Sequence, residues 1–220
     1  MPTDRDELPE LVVERLTCDL VEKGVAVVPG ALPGDLVDAL HEAALARDRA
    51  GEMREADIGR GAAEARARHI RVVRSAWLDG RSIAERRYLA LSDRLRVALN
   101  RNLMLGLFEL ESQFLIYDPG GFYARHLDSF RGARNRIVSM VAYLNPQWSE
   151  EDGGGLHVWT RDAAPDDPPA LVVRPDAGTL VLMMSEEIPH QVAPSRRQRV
   201  GIAGWWRVNQ TTGKRVDPPR

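Results

Sequence analysis

The chain has 220 residues and a mass of 24.5 kDa, with 30 basic and 32 acidic side chains, a formal charge of -2 and five histidines. That length can bury a substantial core within one large domain, whereas the near-neutral charge excludes a dedicated nucleic-acid binder, which carries a basic excess. A single cysteine, Cys18, excludes a disulfide framework and any multi-cysteine metal site; it is expected to be a small buried hydrophobe.

In chain order, Leu11, Val12, Leu16 and Leu20 recur at helical spacing up to Lys23-Gly24, a helix stop. Residues 24–30 predict a short strand closed by Pro29-Gly30. Pro33-Gly34-Asp35 opens a second helix with Leu36, Leu40 and Ala44 on one face. Residues 51–68 are charged and interrupted by Gly51, Gly59 and Gly61, the pattern of a mobile loop. His69 to Arg74 predicts a strand, and Ile83 to Asn100 a third helix with Tyr88, Leu91, Leu95 and Leu99 inward. From 109 the period changes. Apolar or alternating runs at 109–117, 122–128, 135–144, 155–160, 170–174, 179–184, 188–193 and 199–207 are separated by Gly, Pro and Asn turn signals. Evenly spaced short strands of this kind predict a double-sheet jelly roll, here with helices packed outside it, an α+β chain with a mainly β core. The organisation expected is one domain over 1–220: a helical support region over 1–108, a β core over 109–207 and a tail over 208–220.

The N-terminus is polar and charged, unlike a signal or transit peptide. No apolar run approaches the ~18 residues of a membrane span. A cytoplasmic protein without membrane or nucleic-acid partners is expected. All basic residues but Lys23 and Lys214 are arginines, most of them expected at the solvated surface.

The strongest chemical signal is His126-Leu127-Asp128. On a strand, residues two apart share a face, so an imidazole and a carboxylate would stand side by side. That pair can hold a metal or simply be a structural hydrogen bond. Downstream, His190 precedes Arg199 by nine residues, and 199–206 alternates. Arg199, Gly201, Ala203 and Trp205 share one face, with Val200, Ile202 and Trp206 on the other. An arginine followed on its own face by small residues either clamps a carboxylate or points to water at a sheet edge. Two histidines and one carboxylate are the donor set of a facial Fe(II) triad, which leaves positions open for substrate and oxygen.

The sequence resembles the 2-oxoglutarate/Fe(II)-dependent dioxygenases, and within them the prolyl 4-hydroxylase group, including the hypoxia-inducible-factor prolyl hydroxylases and their bacterial relatives. The resemblance runs from about Gly24 to Arg207. It is carried by 24–28, Ile70-Arg71 with 76–80, 117–128, Arg136 with Ala142-Tyr143-Leu144-Asn145, Trp148, Gly154-Gly155, and His190 to Trp205. It implies a distorted double-stranded β-helix (jelly roll, cupin-like) flanked by N-terminal helices. It implies His126, Asp128 and His190 as iron ligands, Arg199 and Tyr143 on the distal carboxylate of 2-oxoglutarate, and Tyr117 beside it. Arg136, Trp205 and Tyr123 fall on the substrate side. Fe(II), 2-oxoglutarate and O2 are the implied cofactor and cosubstrates, with ascorbate as reductant. The implied reaction is prolyl hydroxylation of a protein or peptide, with 2-oxoglutarate decarboxylated to succinate.

This chain departs from the family pattern in three places. The turn between Tyr117 and His126 is one residue shorter, which leaves open whether Tyr117 or Tyr123 contacts 2-oxoglutarate. Ala203 stands where the family carries a hydroxyl. Strict alternation puts Arg136 and Tyr143 on opposite faces, so a bulge or late strand start is needed if both line the site. In the related hydroxylases a mobile loop like 51–68 closes over substrate; here Arg60, Arg66 and Arg68 would favour an acidic or polar partner. His157 is expected to be an ordinary strand residue, His41 exposed, His69 a possible substrate contact, and Trp77, Trp148 and Trp159 packing residues. A hydroxylase of a free amino acid or metabolite is the close alternative. A cupin-like binding protein without turnover is the other, against which Arg199 and Tyr143 speak.

Overall fold

A computed structural model describes residues 7–55, 70–129 and 136–209. Helix α1 (Glu10–Lys23) stops where Gly24 turns left-handed (φ 73°) and donates its N–H to the Leu20 carbonyl. A side chain at 24 would also strike Ile188 at 2.7 Å. Strand β1 (Val25–Val28) leads to α2 (Gly34–Arg49), entered through Pro33. After β2 (Arg54–Glu55) and β3 (Arg74–Trp77) comes α3 (Ile83–Leu103). Ser82 caps it by accepting from the Glu85 N–H at 3.0 Å. Tyr88, Leu91, Leu95 and Leu99 are buried, as the periodicity predicts.

The rest is β: β4 (Leu107–Tyr117), β5 (Tyr123–His126), β6 (Arg136–Tyr143), β7 (Leu156–Val158), β8 (Leu171–Val173), β9 (Leu180–Met184), β10 (His190–Val192) and β11 (Arg199–Val208). They form a seven-stranded sheet ordered β1-β9-β6-β11-β4-β3-β2 and a four-stranded sheet ordered β5-β10-β7-β8. All strand pairs are antiparallel. This is the expected α+β jelly roll.

The large sheet has two different faces because its strands alternate. Phe114, Ile116, Val138, Met140, Ile202 and Trp206 point to the helices and build one core with Leu36, Leu40, Tyr88 and Leu99. Leu115, Tyr117, Tyr143, Val181, Ala203 and Trp205 point to the small sheet and meet Leu156, Val158, Val173 and Val192. The first face supplies stability; the second holds the polar residues that the alternation of 199–206 singled out.

Several expectations are corrected. The strand expected over 69–74 begins only at Arg74. The preceding residues lie on the other sheet: Val72 N–H donates to Phe122 O at 2.9 Å and Ala124 N–H to Ile70 O at 2.7 Å. The chain changes sheets near Val73, and local periodicity cannot register such a switch. Cys18 is exposed on α1 instead of buried. His41 is half-buried, its Nδ1 2.8 Å from the Leu144 carbonyl, because α2 packs against the end of β6. Within the 51–68 segment, 54–55 pairs with β3; 56–68, with Arg60, Arg66 and Arg68, and also His69, lie outside the described residues. So does the tail from 210.

One buried ion pair locks α2 to α3. Arg47 Nη2 donates to both Glu85 oxygens at 2.9 and 2.7 Å and to Asp79 at 2.7 Å. Removing one partner leaves the other charge buried and uncompensated, which costs about 3–5 kcal/mol. Glu85→Ala is therefore expected to lower the urea midpoint strongly; a shift like that of a surface substitution would refute this role.

Candidate active site

His190 opens β10 directly across from His126 at the end of β5. Asp128 lies just past β5, not within it, so the pairing of imidazole and carboxylate comes from the bend after the strand. The Asp128 oxygens are 3.5 Å from His126 Nε2 and 3.5 Å from His190 Nε2. The candidate ligand atoms of the three side chains all lie within 4.8 Å of one another. Each imidazole is oriented from behind. His126 Nδ1 is 2.7 Å from Ala124 O and His190 Nδ1 is 3.1 Å from Ile188 O. A carbonyl accepts, so Nδ1 carries the proton and the Nε2 lone pairs are turned toward Asp128. Burial pushes the His190 imidazole below its ordinary value, with Asp128 pulling the other way. Burial would raise the Asp128 carboxyl, but His190 and His126 outweigh it and hold it below the usual carboxylate range. Two imidazoles beside a carboxylate are a donor set for a divalent transition metal, and its N2O composition suits Fe(II).

Facing this cluster from the large sheet is Arg199. It is 2% exposed, so it does not point to water at a sheet edge. Its guanidinium lies 5.0 Å from the ring centroids of both Tyr117 and Tyr143. The register explains the grouping. Arg199 pairs with Tyr117 on β4, and Gly201 pairs with Tyr143 on β6. A side chain at 201 would meet the Ala142 carbonyl at 3.0 Å. Asn145 pins the start of β11, its Oδ1 accepting from the Val200 N–H at 2.6 Å. Among the described residues no Asp or Glu pairs with Arg199, and its Nε and the Tyr143 hydroxyl are buried without a hydrogen-bond partner. Burial pushes the Tyr143 hydroxyl up to about 12, partly offset by Arg199, so it stays protonated as a donor. Unmatched buried donors are costly unless a bound molecule satisfies them. A carboxylate ligand answers both groups.

His126, Asp128, His190, Tyr117 and Arg199 line one pocket that is open to solvent, and Tyr143 touches Arg199 from outside that lining. The turn 118–121 carries the chain from Tyr117 on one sheet to β5 on the other. It passes so close that a side chain at Gly121 would sit 2.9 Å from both the Asp118 and Val72 carbonyls. Tyr117 and Tyr123 thereby separate: Tyr117 lies beside Arg199, while Tyr123 stacks on His126 with ring centroids 3.5 Å apart. The Arg136 guanidinium covers the ring of Trp205, which lines the pocket, at 4.0 Å. The register of β6 against β11 slips by one residue between Val138 and Arg136, the bulge that strict alternation required. Arg136 thus pairs with Arg207 and shares the face of Tyr143 and Trp205.

Trp148 and Trp159 are buried packing residues, as expected, whereas Trp77 is 55% exposed, edge-on to Trp205 at 6.5 Å. It ends a strand near the sheet margin, where an outward side chain has no partner layer. His157 is an ordinary residue of β7, as expected. A pocket residue without an assigned role in the sequence reading is Arg71. Its place in the Ile70-Arg71 motif was the available signal.

Comparison with known proteins agrees with this geometry. Residues 112–207 match the model of the 2OG-Fe(II) oxygenase superfamily. A prolyl-4-hydroxylase of Pseudomonas putida is 38% identical, with 89% of this chain and 98% of that one covered and a TM-score of 0.79. A prolyl hydroxylase of Trichoplax adhaerens, solved with a hypoxia-inducible-factor oxygen degradation domain peptide, shares the fold at 22% identity, 90% coverage of each chain and a TM-score of 0.78. A viral collagen prolyl hydroxylase of Paramecium bursaria Chlorella virus-1 does so at 16% identity, covering 86% of this chain and 98% of that one, with a TM-score of 0.60. Fold, donor set and likeness together establish that this chain is an oxygenase belonging to the 2OG-Fe(II) oxygenase superfamily, among the enzymes of prolyl 4-hydroxylase type.

Proposed function

We propose that the enzyme hydroxylates a prolyl residue of a protein or peptide and decarboxylates 2-oxoglutarate to succinate. The observation that carries the dioxygenase chemistry is the unpaired, buried Arg199 opposite the His126, Asp128 and His190 cluster. A protein that only bound metal would have no use for a buried carboxylate clamp. The substrate assignment draws its support from the Pseudomonas putida prolyl-4-hydroxylase, to which the chain is similar over most of its length.

In this reading His126 Nε2, His190 Nε2 and an Asp128 oxygen hold Fe(II). The bound iron, with 2-oxoglutarate and O2, supplies the oxidising power to place one oxygen atom on carbon and the other in succinate. The residues of the chain position and shield. Arg199 and the protonated Tyr143 hydroxyl grip the distal carboxylate of 2-oxoglutarate from two directions, and Tyr117 walls its side. Leu115, Val192 and Leu156 line the pocket with hydrocarbon and reduce the water around the reacting groups. Arg136, Trp205 and Tyr123 meet the substrate at the mouth. Ascorbate serves as reductant, and a reducing cytoplasm suits an enzyme that must keep its iron ferrous.

The test is mass spectrometry of a peptide library and of free amino acids, incubated with enzyme, Fe(II), 2-oxoglutarate and ascorbate. The gain of one oxygen on prolyl peptides is expected. Oxidation confined to free amino acids or metabolites would overturn the protein-substrate reading and leave the iron chemistry standing.

A further inference from the structure

Between Arg136 and Tyr143 every residue of β6 is apolar except Ser139. Its cross-strand partners are Trp205 on β11 and Met183 on β9, both in the cleft-side core. Cross-strand partners share a face, so the Ser139 side chain stands among hydrocarbon on the cleft side of the large sheet, 1% exposed. A hydroxyl buried there is costly unless it is hydrogen-bonded. Two partners are in place. Its Oγ is 2.8 Å from the Ser185 Oγ, and it hydrogen-bonds the Asp128 carboxylate.

A hydroxyl carries one proton, and an ionised carboxylate can only accept. Ser139 therefore donates to Asp128, and in its contact with Ser185, where the heavy-atom geometry allows either donor, Ser185 donates. The hydrogen bonds run one way, from Ser185 to Ser139 to Asp128. Ser185 also acts by a second route. Its carbonyl accepts from the Ser129 N–H at 3.2 Å, which holds the backbone directly after Asp128, and its own N–H donates to Ile137 O at 3.0 Å. The turn that follows, 185–188, ends in the Ile188 carbonyl that orients His190. Its start is pinned by the Met184 N–H, which donates to Gly24 O at 2.8 Å. One short segment after β9 thus fixes two of the three candidate ligands, His190 through a main-chain carbonyl and Asp128 through a pair of hydroxyls.

We infer that Ser139 is a positioning residue of the metal site: its hydroxyl, backed by that of Ser185, holds one Asp128 oxygen and leaves the other for the metal. The inference rests on the reading of His126, Asp128 and His190 as iron ligands. A carboxylate held by one oxygen offers the metal a single donor, so the positions needed by 2-oxoglutarate and O2 stay open. A carboxylate free to turn would offer both oxygens and fill one of those positions.

The test titrates metal-free enzyme with Co(II), whose visible absorption reports both occupancy and the arrangement of its donors. Thermal melts of the metal-free protein report the fold of each variant. Ser139→Ala is expected to bind Co(II) about ten- to a hundred-fold more weakly, the usual effect of removing the partner of a metal ligand, and to change the absorption band. Ser139→Thr keeps the hydroxyl and should restore both. Ser185→Ala should weaken binding about two- to ten-fold, the scale of one neutral hydrogen bond, and add nothing in the Ser139→Ala background. Ser139→Cys gives the same comparison should the alanine variant not fold. Wild-type affinity and absorption in Ser139→Ala, or a folded Ser139→Thr as weak as Ser139→Ala, would overturn the role of Ser139, and loss of Co(II) from Asp128→Ala would leave the ligand reading standing. An equal effect of Ser185→Ala in both backgrounds would overturn the relay. Asp128→Ala that binds Co(II) as the wild type does would overturn the ligand reading and this inference with it.

Discussion

Arg199→Ala is expected to raise the 2-oxoglutarate concentration needed for half-maximal turnover by about a hundred- to several thousand-fold. The figure follows from the cost of removing one partner of a buried charge pair, about 3–5 kcal/mol, converted to affinity. The physical case is the isolation of this guanidinium. It sits between Tyr117 and Tyr143, away from every described carboxylate, so no protein anion competes with a ligand for it. The same isolation predicts an opposite effect on the free protein. An unpaired buried charge is a burden on the fold, and Arg199→Met should leave the thermal midpoint of cosubstrate-free enzyme unchanged or higher. Wild type should gain about 2.7 kcal/mol from 2-oxoglutarate at a hundred times its Kd, and Arg199→Met should gain far less at that concentration. Arg199→Lys keeps a point charge without the fork and should fall between. Succinate release and thermal melts at graded 2-oxoglutarate check these outcomes. An unchanged cosubstrate requirement would remove Arg199 from the clamp.

Asp128→Ala is expected to abolish succinate formation and to strip iron from the purified enzyme. The carboxylate is the only anion among the three converging side chains, and it lies 3.5 Å from each facing imidazole nitrogen. Without it, two imidazoles and no anion are left to hold a dication in a largely buried site. Asp128→Glu lengthens the side chain by one methylene and should also bind weakly, because His126 and His190 are held from behind by Ala124 and Ile188 and cannot retreat. Metal content by elemental analysis and succinate by chromatography give independent readouts. A fully active, iron-replete Asp128→Ala enzyme would sink the ligand assignment.

Much of the fold is legible in short stretches of sequence. The left-handed Gly24 ends α1 where Lys23-Gly24 predicted it, and the inward set of α3 follows from its period alone. The alternation of 199–206 also survives folding intact. Val200, Ile202 and Trp206 enter the helix-side core, and Ala203 and Trp205 enter the cleft-side core. Each of these features depends on residues a few positions apart, where backbone geometry imposes a period. The His126-Leu127-Asp128 motif was readable as a possible ligand pair, although its partner His190 entered the set only through the downstream motif and the family resemblance.

What the sequence determined by itself was therefore the set of elements, the two-faced character of β11, and the chemical types able to hold a metal and a carboxylate. The tertiary structure decided which of them meet. It set Tyr117 against Arg199 and Tyr123 against His126 by folding one turn tightly over Gly121. It turned Arg136 toward Trp205 through a one-residue slip between β6 and β11. It moved 70–72 to the small sheet, delivering Arg71 to the pocket, and left Trp77 exposed at the margin of the large one. These outcomes depend on register and sheet order between strands far apart in the chain. The alternation within one strand carries no information about its partner, and a shift of one residue reverses every face.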